Sequence, residues 1–536
     1  MKVLDNIIHG PPGAKVPNIS IQEYILSNLR AKLDHILQVD IETGKSFTSK
    51  DVLVGSVALA SALKNYGIEK QDRISISSEN LPNFLIATCA IYNVGAVFAP
   101  LNPGYTEREY RHMLEITQPR VMFVSRKTEV LLSKIAPTLS WTMKLIHLED
   151  SALTENIPTL KNLVENYKST VDPYKFVPAQ IGDSSKEMAA ILASSGTTGL
   201  PKGVTLSHRN LLTFFSNSSG PKYVDIQRGD RIMMFLPMFH GYAFGVTLIA
   251  TGVGATTYVL RSFNVETLLE AIEKYKITYL PLVPPVLVLL AKHPTVTNYD
   301  FSSVRYLMCG AAPFPKDVAD EVKRRTKIKC IHNGYGMTEL SVISHISDIE
   351  CNDENVGLLV PGFLCKVVNP ETNETLPTGD VGEVCLKGDQ VMLGYFKNPK
   401  VTAETIDDEK WLHTGDLGYF KQDGLLYITG RLKEIIKYKA YQVSPSEIET
   451  VIQSHPGVKD AAVVGKPDKM SGEVPMALVV KQPGSNVTAK EIIDFTNRNL
   501  SPQKWLRGGV IFVEAIPKNP SGKILRRELI KLIAKL

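Results

Sequence analysis

Cysteine is sparse in this chain of 536 residues, and the six present (Cys89, Cys309, Cys330, Cys351, Cys365 and Cys385) are scattered. They form no C-x-x-C pair and have no His pair nearby in sequence, so neither a zinc site nor a disulfide framework is indicated, and a reducing compartment fits best. A strong charge of either sign is missing as well: 60 basic residues against 55 acidic ones leave a net charge of +5. With no basic stripe interleaved with aromatics, nucleic acid is not an expected partner. Long apolar runs are also wanting. The most apolar one, residues 279–291, is short and broken by Pro281, Pro284 and Pro285, so no membrane span is expected. The first twenty residues lack the apolar stretch of a signal peptide.

What remains is a composition of 44% hydrophobic and 21% charged residues, ordinary for a soluble globular protein. The length exceeds what one core can organise and suggests about three or four folding units. From residue 20 onward helix and strand patterns alternate: a helix over 48–65, strands over 73–77 and 96–101, a helix over 81–93, a capping box at Thr106 and Glu109, and a strand over 121–124. The rhythm resumes with strands over 231–236, 256–260, 278–282 and 305–309 and a helix over 265–275. Repeated β-α-β units imply parallel sheets covered by helices, with ligands expected beyond the carboxyl ends of the strands. From about residue 357 short strands and turn clusters suggest a β-rich subdomain. A compact α+β unit follows, with helices over 444–454 and 489–499 and strands over 461–464 and 476–480. The expected class is therefore α/β: a large unit over 1–432, made of two α/β/α layers plus the β-rich subdomain, and a small mobile α+β unit over 433–536.

The most informative stretch lies between residues 191 and 203. An apolar strand empties into Ser194, Ser195, Gly196, Thr197, Thr198 and Gly199, followed by Pro201, Lys202 and Gly203. Glycines let backbone N–H groups turn inward, hydroxyls add uncharged donors, and the lysine supplies one positive charge, which together suit a polyphosphate. The bland alternative is a polar surface loop. The spacing does not fit the P-loop pattern G-x-x-x-x-G-K-[ST]. The stretch closely resembles the phosphate loop of the adenylate-forming superfamily, which includes acyl-CoA synthetases, 4-coumarate:CoA ligases and beetle luciferases.

Three more clusters stand in that superfamily's order. In the first, His332-Asn333-Gly334-Tyr335-Gly336-Met337-Thr338-Glu339, two glycines flank a flat ring and a Thr-Glu pair can offer a phosphate donor and a magnesium ligand. The resemblance implies that Tyr335 stacks on adenine between Gly334 and Gly336, that Thr338 touches phosphate, and that Glu339 binds Mg²⁺. In the second, Trp411-Leu412-His413-Thr414-Gly415-Asp416, the family pattern assigns Asp416 to the ribose hydroxyls, with Arg431 nearby. The third, residues 517–523, contains Lys523, to which the resemblance assigns the adenylation step, while Lys437 serves the second half-reaction after the small domain swivels about Lys433. The rival reading for such a lysine is a solvated side chain.

The implied chemistry is carboxylate plus ATP giving acyl-AMP and pyrophosphate, followed by attack of coenzyme A. The resemblance places the acyl pocket among Tyr242, Val246, Gly310, Ala311, Leu340 and Val342, with His240 a candidate to guard its carboxylate end and a buried structural histidine as the rival reading. The chain resembles beetle luciferases and their acyl-CoA synthetase relatives, down to residues 435–439 and 506–510. It departs from luciferases at Val246 and Val342, where they carry hydroxylated residues, and from relatives generally at Ala440, where they have glycine. Apolar walls favour an aliphatic or aryl acid, so the leading expectation is a medium- or long-chain fatty acyl-CoA synthetase. A luciferase-like monooxygenase is the alternative and a silent nucleotide- or acyl-binding protein the third. Ala534-Lys535-Leu536 resemble the S-K-L address read by a peroxisomal import receptor, the alternative being the end of an amphipathic helix.

Overall fold

The computed structural model describes residues 2–194, 201–218, 220, 222–312, 314–347, 355–439, 441–468, 470–519 and 522–533. Among them the strands form sheets of six, seven, nine and five members. The seven-stranded sheet has the parallel strands Val97–Phe98, Arg73–Ser77, Val121–Val124 and Lys144–His147 at its heart. Its far edge is antiparallel, because Lys202–Ser207 folds back on Met188–Ser194 as a hairpin around the expected phosphate loop. The nine-stranded sheet centres on Arg231–Met234, Tyr279–Leu282, Tyr306–Gly310 and Ile331–Tyr335, all parallel. It also recruits Ile36–Asp40 from far upstream in the chain.

Local chemistry explains the element boundaries. The helix Ser49–Asn65 starts where Thr48 and Asp51 cap each other reciprocally, and the Thr106–Glu109 box opens Glu107–Thr117 in the same way. Each such cap contributes about 1 kcal/mol. The strands Val121–Val124 and Tyr279–Leu282 are buried along their whole length because helices cover both faces of these sheets. Helices Ser49–Asn65 and Pro82–Asn93 pack against each other, with Ile86 only 3.2 Å from where a Cβ on Gly55 would stand.

The six-stranded sheet is antiparallel and contains Phe363–Val368, Gly382–Gly388, Leu412–Phe420 and Leu426–Arg431. Its other edge comes from Lys2–Leu4 and Ile7–His9, so the β-rich subdomain draws on the opposite end of the chain, which no local pattern announced. The five-stranded sheet joins Ile436–Tyr438, Tyr441–Val443, Val458–Asp468, Gly472–Lys481 and Gly509–Phe512. Period-two alternation gives it two separate cores. Ala461 and Val463 pack on one face with Ile448 and Ile492, whereas Ala462 and Val464 pack on the other with Ile516 and Leu529. This unit leans on the helix Pro284–Lys292, where Lys292 donates to the Val458 carbonyl (2.9 Å). No helix among the described residues is long and apolar enough to cross a membrane.

Candidate active site

A cavity of about 880 Å³ opens beyond the carboxyl ends of Met188–Ser194, Tyr306–Gly310 and Ile331–Tyr335. At its centre Glu339 is almost completely buried on a short 3₁₀ turn, Thr338–Leu340. Its Oε1 accepts from Ser194 Oγ (2.8 Å) and from Tyr395 Oη (2.9 Å). Lys202 Nζ lies 4.7 Å over the Tyr395 ring, which gives its charge a partner while leaving the ammonium at the cavity wall. Burial, followed by repulsion from Lys433, holds the Lys202 amine below the usual lysine range. A carboxylate fixed by two hydroxyls beside phosphate-sized space is the single-carboxylate donor set that suits Mg²⁺, an ion that fills its remaining positions with water and phosphate oxygens.

Opposite Glu339, Tyr335 Oη donates to Asp416 Oδ2 (2.8 Å), and Arg431 Nε stands 3.0 Å from Asp416 Oδ1. Burial and then the Asp416 charge push the Tyr335 phenol well above its ordinary range, so it remains a donor. The strands that carry Asp416 and Arg431 pair these two residues directly. Lys523 enters the same cavity from the small unit, on a turn in which its N–H donates to Asn519 Oδ1 (2.8 Å) and Gly522 has φ +81°. Pro285 lies 3.0 Å from where a Cβ on Gly522 would stand, a close approach that seats the turn on the large unit. Burial and repulsion from Arg431 push the Lys523 amine down to about 8, although Glu434, Asp416 and Glu339 pull the other way.

A second arm of the cavity is apolar, lined by Phe214, Val224, Val246, Ile249 and Val342. Tyr242 borders it, but its hydroxyl donates to the Met308 carbonyl (2.9 Å) and is not directed at a guest. His240 caps the helix Gly241–Val253, its Nδ1 accepting from the Tyr242 N–H (3.4 Å), and burial pushes its imidazole down to about 4. A neutral histidine in the cavity wall can orient a carboxylate without adding charge.

The AMP-binding enzyme family matches residues 27–396, and its C-terminal domain matches residues 447–523. The chain belongs to the AMP-binding enzyme family. It is 36% identical over 541 residues to luciferin 4-monooxygenase of Luciola mingrelica, covering 99% of this chain and 98% of the relative. Against 4-coumarate--CoA ligase-like 9 of Arabidopsis thaliana the identity is 41% over 463 residues, covering 86% and 79%. The solved structure of ATP-bound MatB from Rhodopseudomonas palustris superposes with a TM-score of 0.84 at 25% identity, covering 96% of this chain and 99% of that one.

The structure gathers most, not all, of the residues expected from the family motifs. Ser194, Lys202, Gly334, Tyr335, Gly336, Thr338, Glu339, Arg431 and Lys523 line the cavity, as do His240, Tyr242, Val246, Gly310, Ala311 and Val342. Ser195, Gly196, Thr197, Thr198 and Gly199 lie outside the described residues, as do Ala440 and residues 534–536. Leu340 is corrected: it is fully buried in the core and does not line the cavity. Ser341 (φ 53°) and Val342 (φ 96°) both take the left-handed region, so the chain reverses after the 3₁₀ turn and presents Val342 to the cavity instead. Asp416 stands one layer behind the wall, reached through Tyr335 and Arg431. Lys437 is exposed on the small unit and away from the cavity, its N–H donating to Glu473 (2.8 Å). The strand Ile331–Tyr335 carries the tyrosine itself.

Tyr395, which shares Glu339 and backs Lys202, carried no motif signal, because an isolated Gly-Tyr pair reads as a turn. Phe214 and Ile249 were equally hidden, since apolar residues of a buried helix look like core, and Val224, outside any helix, carried no motif.

Proposed function

We propose that this family member is an ATP- and CoA-dependent ligase that activates a medium- or long-chain fatty acid. The observation that carries the reading is the apolar arm. Its walls are hydrocarbon, and the Tyr242 hydroxyl beside it already serves the Met308 carbonyl, so a polar acid buried there would leave a donor or acceptor unpaired at about 1–3 kcal/mol.

In this reading ATP lies across the Glu339 side of the cavity with its adenine against Tyr335 and its ribose served by the Asp416–Arg431 pair. Lys202 and the hydroxyls of the phosphate loop hold the outer phosphates. The carboxylate oxygen of the fatty acid, oriented by neutral His240, attacks the α-phosphorus, and pyrophosphate leaves to form acyl-AMP. Lys523 Nζ offsets the negative charge that develops between carboxylate and phosphate, an effect with most force in a water-poor site. Mg²⁺, held by Glu339, supplies charge neutralisation on the phosphates. Lys437, exposed on the small unit, serves the second step after that unit turns about Lys433, when the CoA thiol displaces AMP.

The 36% identity to a luciferin 4-monooxygenase over 99% of the chain favours a second reading, oxidation of a luciferyl adenylate with emission of light. One assay separates the two: AMP release with ATP, Mg²⁺ and a panel of acids that includes luciferin, with and without CoA, alongside photon counting. Release that depends on fatty acids and is accelerated by CoA supports the first reading. Bright emission with luciferin and no turnover of fatty acids overturns it.

A further inference from the structure

Two neighbouring strands of the six-stranded sheet bring together a side-chain cluster that the reaction above does not use. Glu383 and Cys385 stand two residues apart on Gly382–Gly388, and Cys385 pairs directly with His413 on Leu412–Phe420. Between the pairs Glu383–Leu417 and Cys385–His413 one strand advances two residues while the other advances four, so residues 414–416 bulge out of the ladder. The bulge lets the Gly415 N–H reach Glu383 Oε1 (2.9 Å) and leaves Glu383 Oε2 facing His413 Nδ1 (2.8 Å). Cys385 Sγ is 3.5 Å from the same nitrogen.

A thiol, an imidazole nitrogen and a carboxylate oxygen therefore lie within 4.8 Å of one another. On the far side of the ring Asp407 Oδ2 stands 3.7 Å from His413 Nε2, the place of an outer-shell carboxylate that fixes the tautomer of a metal-ligating histidine. The cluster is buried among protein but not sealed: Cys385 is fully buried, whereas Glu383, His413 and Asp407 all form part of the cavity wall. Lys366 is the nearby cation whose charge acts on Cys385, and its ammonium lies 4.6 Å over the Trp411 ring.

We propose that Glu383, Cys385 and His413 form a binding site for Zn²⁺ or a similarly thiophilic divalent ion, with the fourth coordination position open to the cavity. The donor set separates this site from the all-oxygen surroundings of Glu339: sulfur and nitrogen select a borderline-soft ion over Mg²⁺. Binding replaces protons by metal. The thiol proton and the proton on His413 Nδ1 both leave, Nε2 keeps its hydrogen toward Asp407, and one S–metal, one N–metal and one O–metal bond form. Because Glu383 also holds the Gly415 N–H, beside Asp416, the ion acts on the segment that carries the nucleotide-binding carboxylate.

The test uses the full chain in excess Mg²⁺, titrated with Co²⁺ as a spectroscopic stand-in and then with Zn²⁺ in competition. The expected result is one thiolate-to-cobalt charge-transfer band per chain, displaced by Zn²⁺, absent in Cys385→Ser and retained in Cys330→Ser. Zinc affinity should fall by more than about 100-fold in Cys385→Ser and by about 10–100-fold in Asp407→Asn, the size of an outer-shell effect. His413→Gln, which keeps the thiol, provides the same test should the serine variant not fold. No thiolate band, or a band unchanged in Cys385→Ser or in His413→Gln, overturns the proposal.

Discussion

Replacing Lys523 with methionine removes one charge and little volume, and the structure gives the direction of two separate effects. In the docked arrangement the amine is pushed from 10.5 down to about 8, mainly by burial and then by Arg431. That displacement corresponds to about 3 kcal/mol between the two protonation states. A lysine on a small unit swung into water keeps its ordinary value, so the docked state binds fewer protons between pH 8 and 10.5. Docking therefore carries a cost of about 3 kcal/mol below pH 8, and the cost fades as pH rises toward 10.5. Lys523→Met removes it at every pH. Without nucleotide the variant should hold the small unit more firmly than the parent at pH 7, seen as slower hydrogen exchange around Gly522, with the difference vanishing near pH 10.5. ATP should also erase the difference, because its phosphates balance the parent's charge. Adenylation, followed by exchange of labelled pyrophosphate into ATP, should fall by roughly 10²–10³-fold, the usual loss for one preorganised charge-stabilising donor. Supplied acyl-AMP should still be converted to acyl-CoA at close to the parental rate. Parental pyrophosphate exchange in the variant, or exchange near Gly522 no slower than in the parent at pH 7, would refute the reasoning.

Gly336→Ala should be among the most damaging changes in the large unit, since the new Cβ would stand 2.0 Å from the Val342 carbonyl oxygen and 2.6 Å from Ile343 Cα. Both are backbone atoms, so a loss of about 3 kcal/mol or more is expected in denaturant unfolding, and a parental midpoint would contradict the packing read here. Val342→Gly relieves a β-branched residue held at φ 96°, a strain of order 1–3 kcal/mol that offsets the lost packing. Its unfolding midpoint should move little while kcat/KM rises for branched relative to straight-chain acids; a loss above about 3 kcal/mol would mean that the backbone strain is absent. Asp416→Asn leaves Arg431 without its partner at 3.0 Å and weakens the anchor of Tyr335, so the KM for ATP should rise at least tenfold with the KM for the carboxylic acid nearly unchanged. Equal shifts in both constants would show that Asp416 supports the whole cavity and not the nucleotide side.

The sequence by itself determined the local elements and the allegiance of the motifs. The capping box at Thr106 marked a helix start, and apolar runs such as residues 121–124 marked buried strands, because these signals act over three or four residues. The clusters around Lys202, Glu339, Asp416 and Lys523 were likewise legible, since each combines glycine or a turn with a chemically committed side chain. Tertiary structure decided whatever depended on which way the chain turned or which strand paired with which. Leu340 and Val342 are both apolar and two residues apart, and only two successive left-handed residues choose Val342 for the cavity. The edge of the β-rich sheet is closed by residues 2–9, and Lys523 enters the cavity that Glu339 lines from another unit, at sequence separations that no periodicity spans. The scattered cysteines gave no hint of a metal site. Cys385 meets His413 across 28 positions of chain because two antiparallel strands fall into register, and a bulge then aims Glu383 at both.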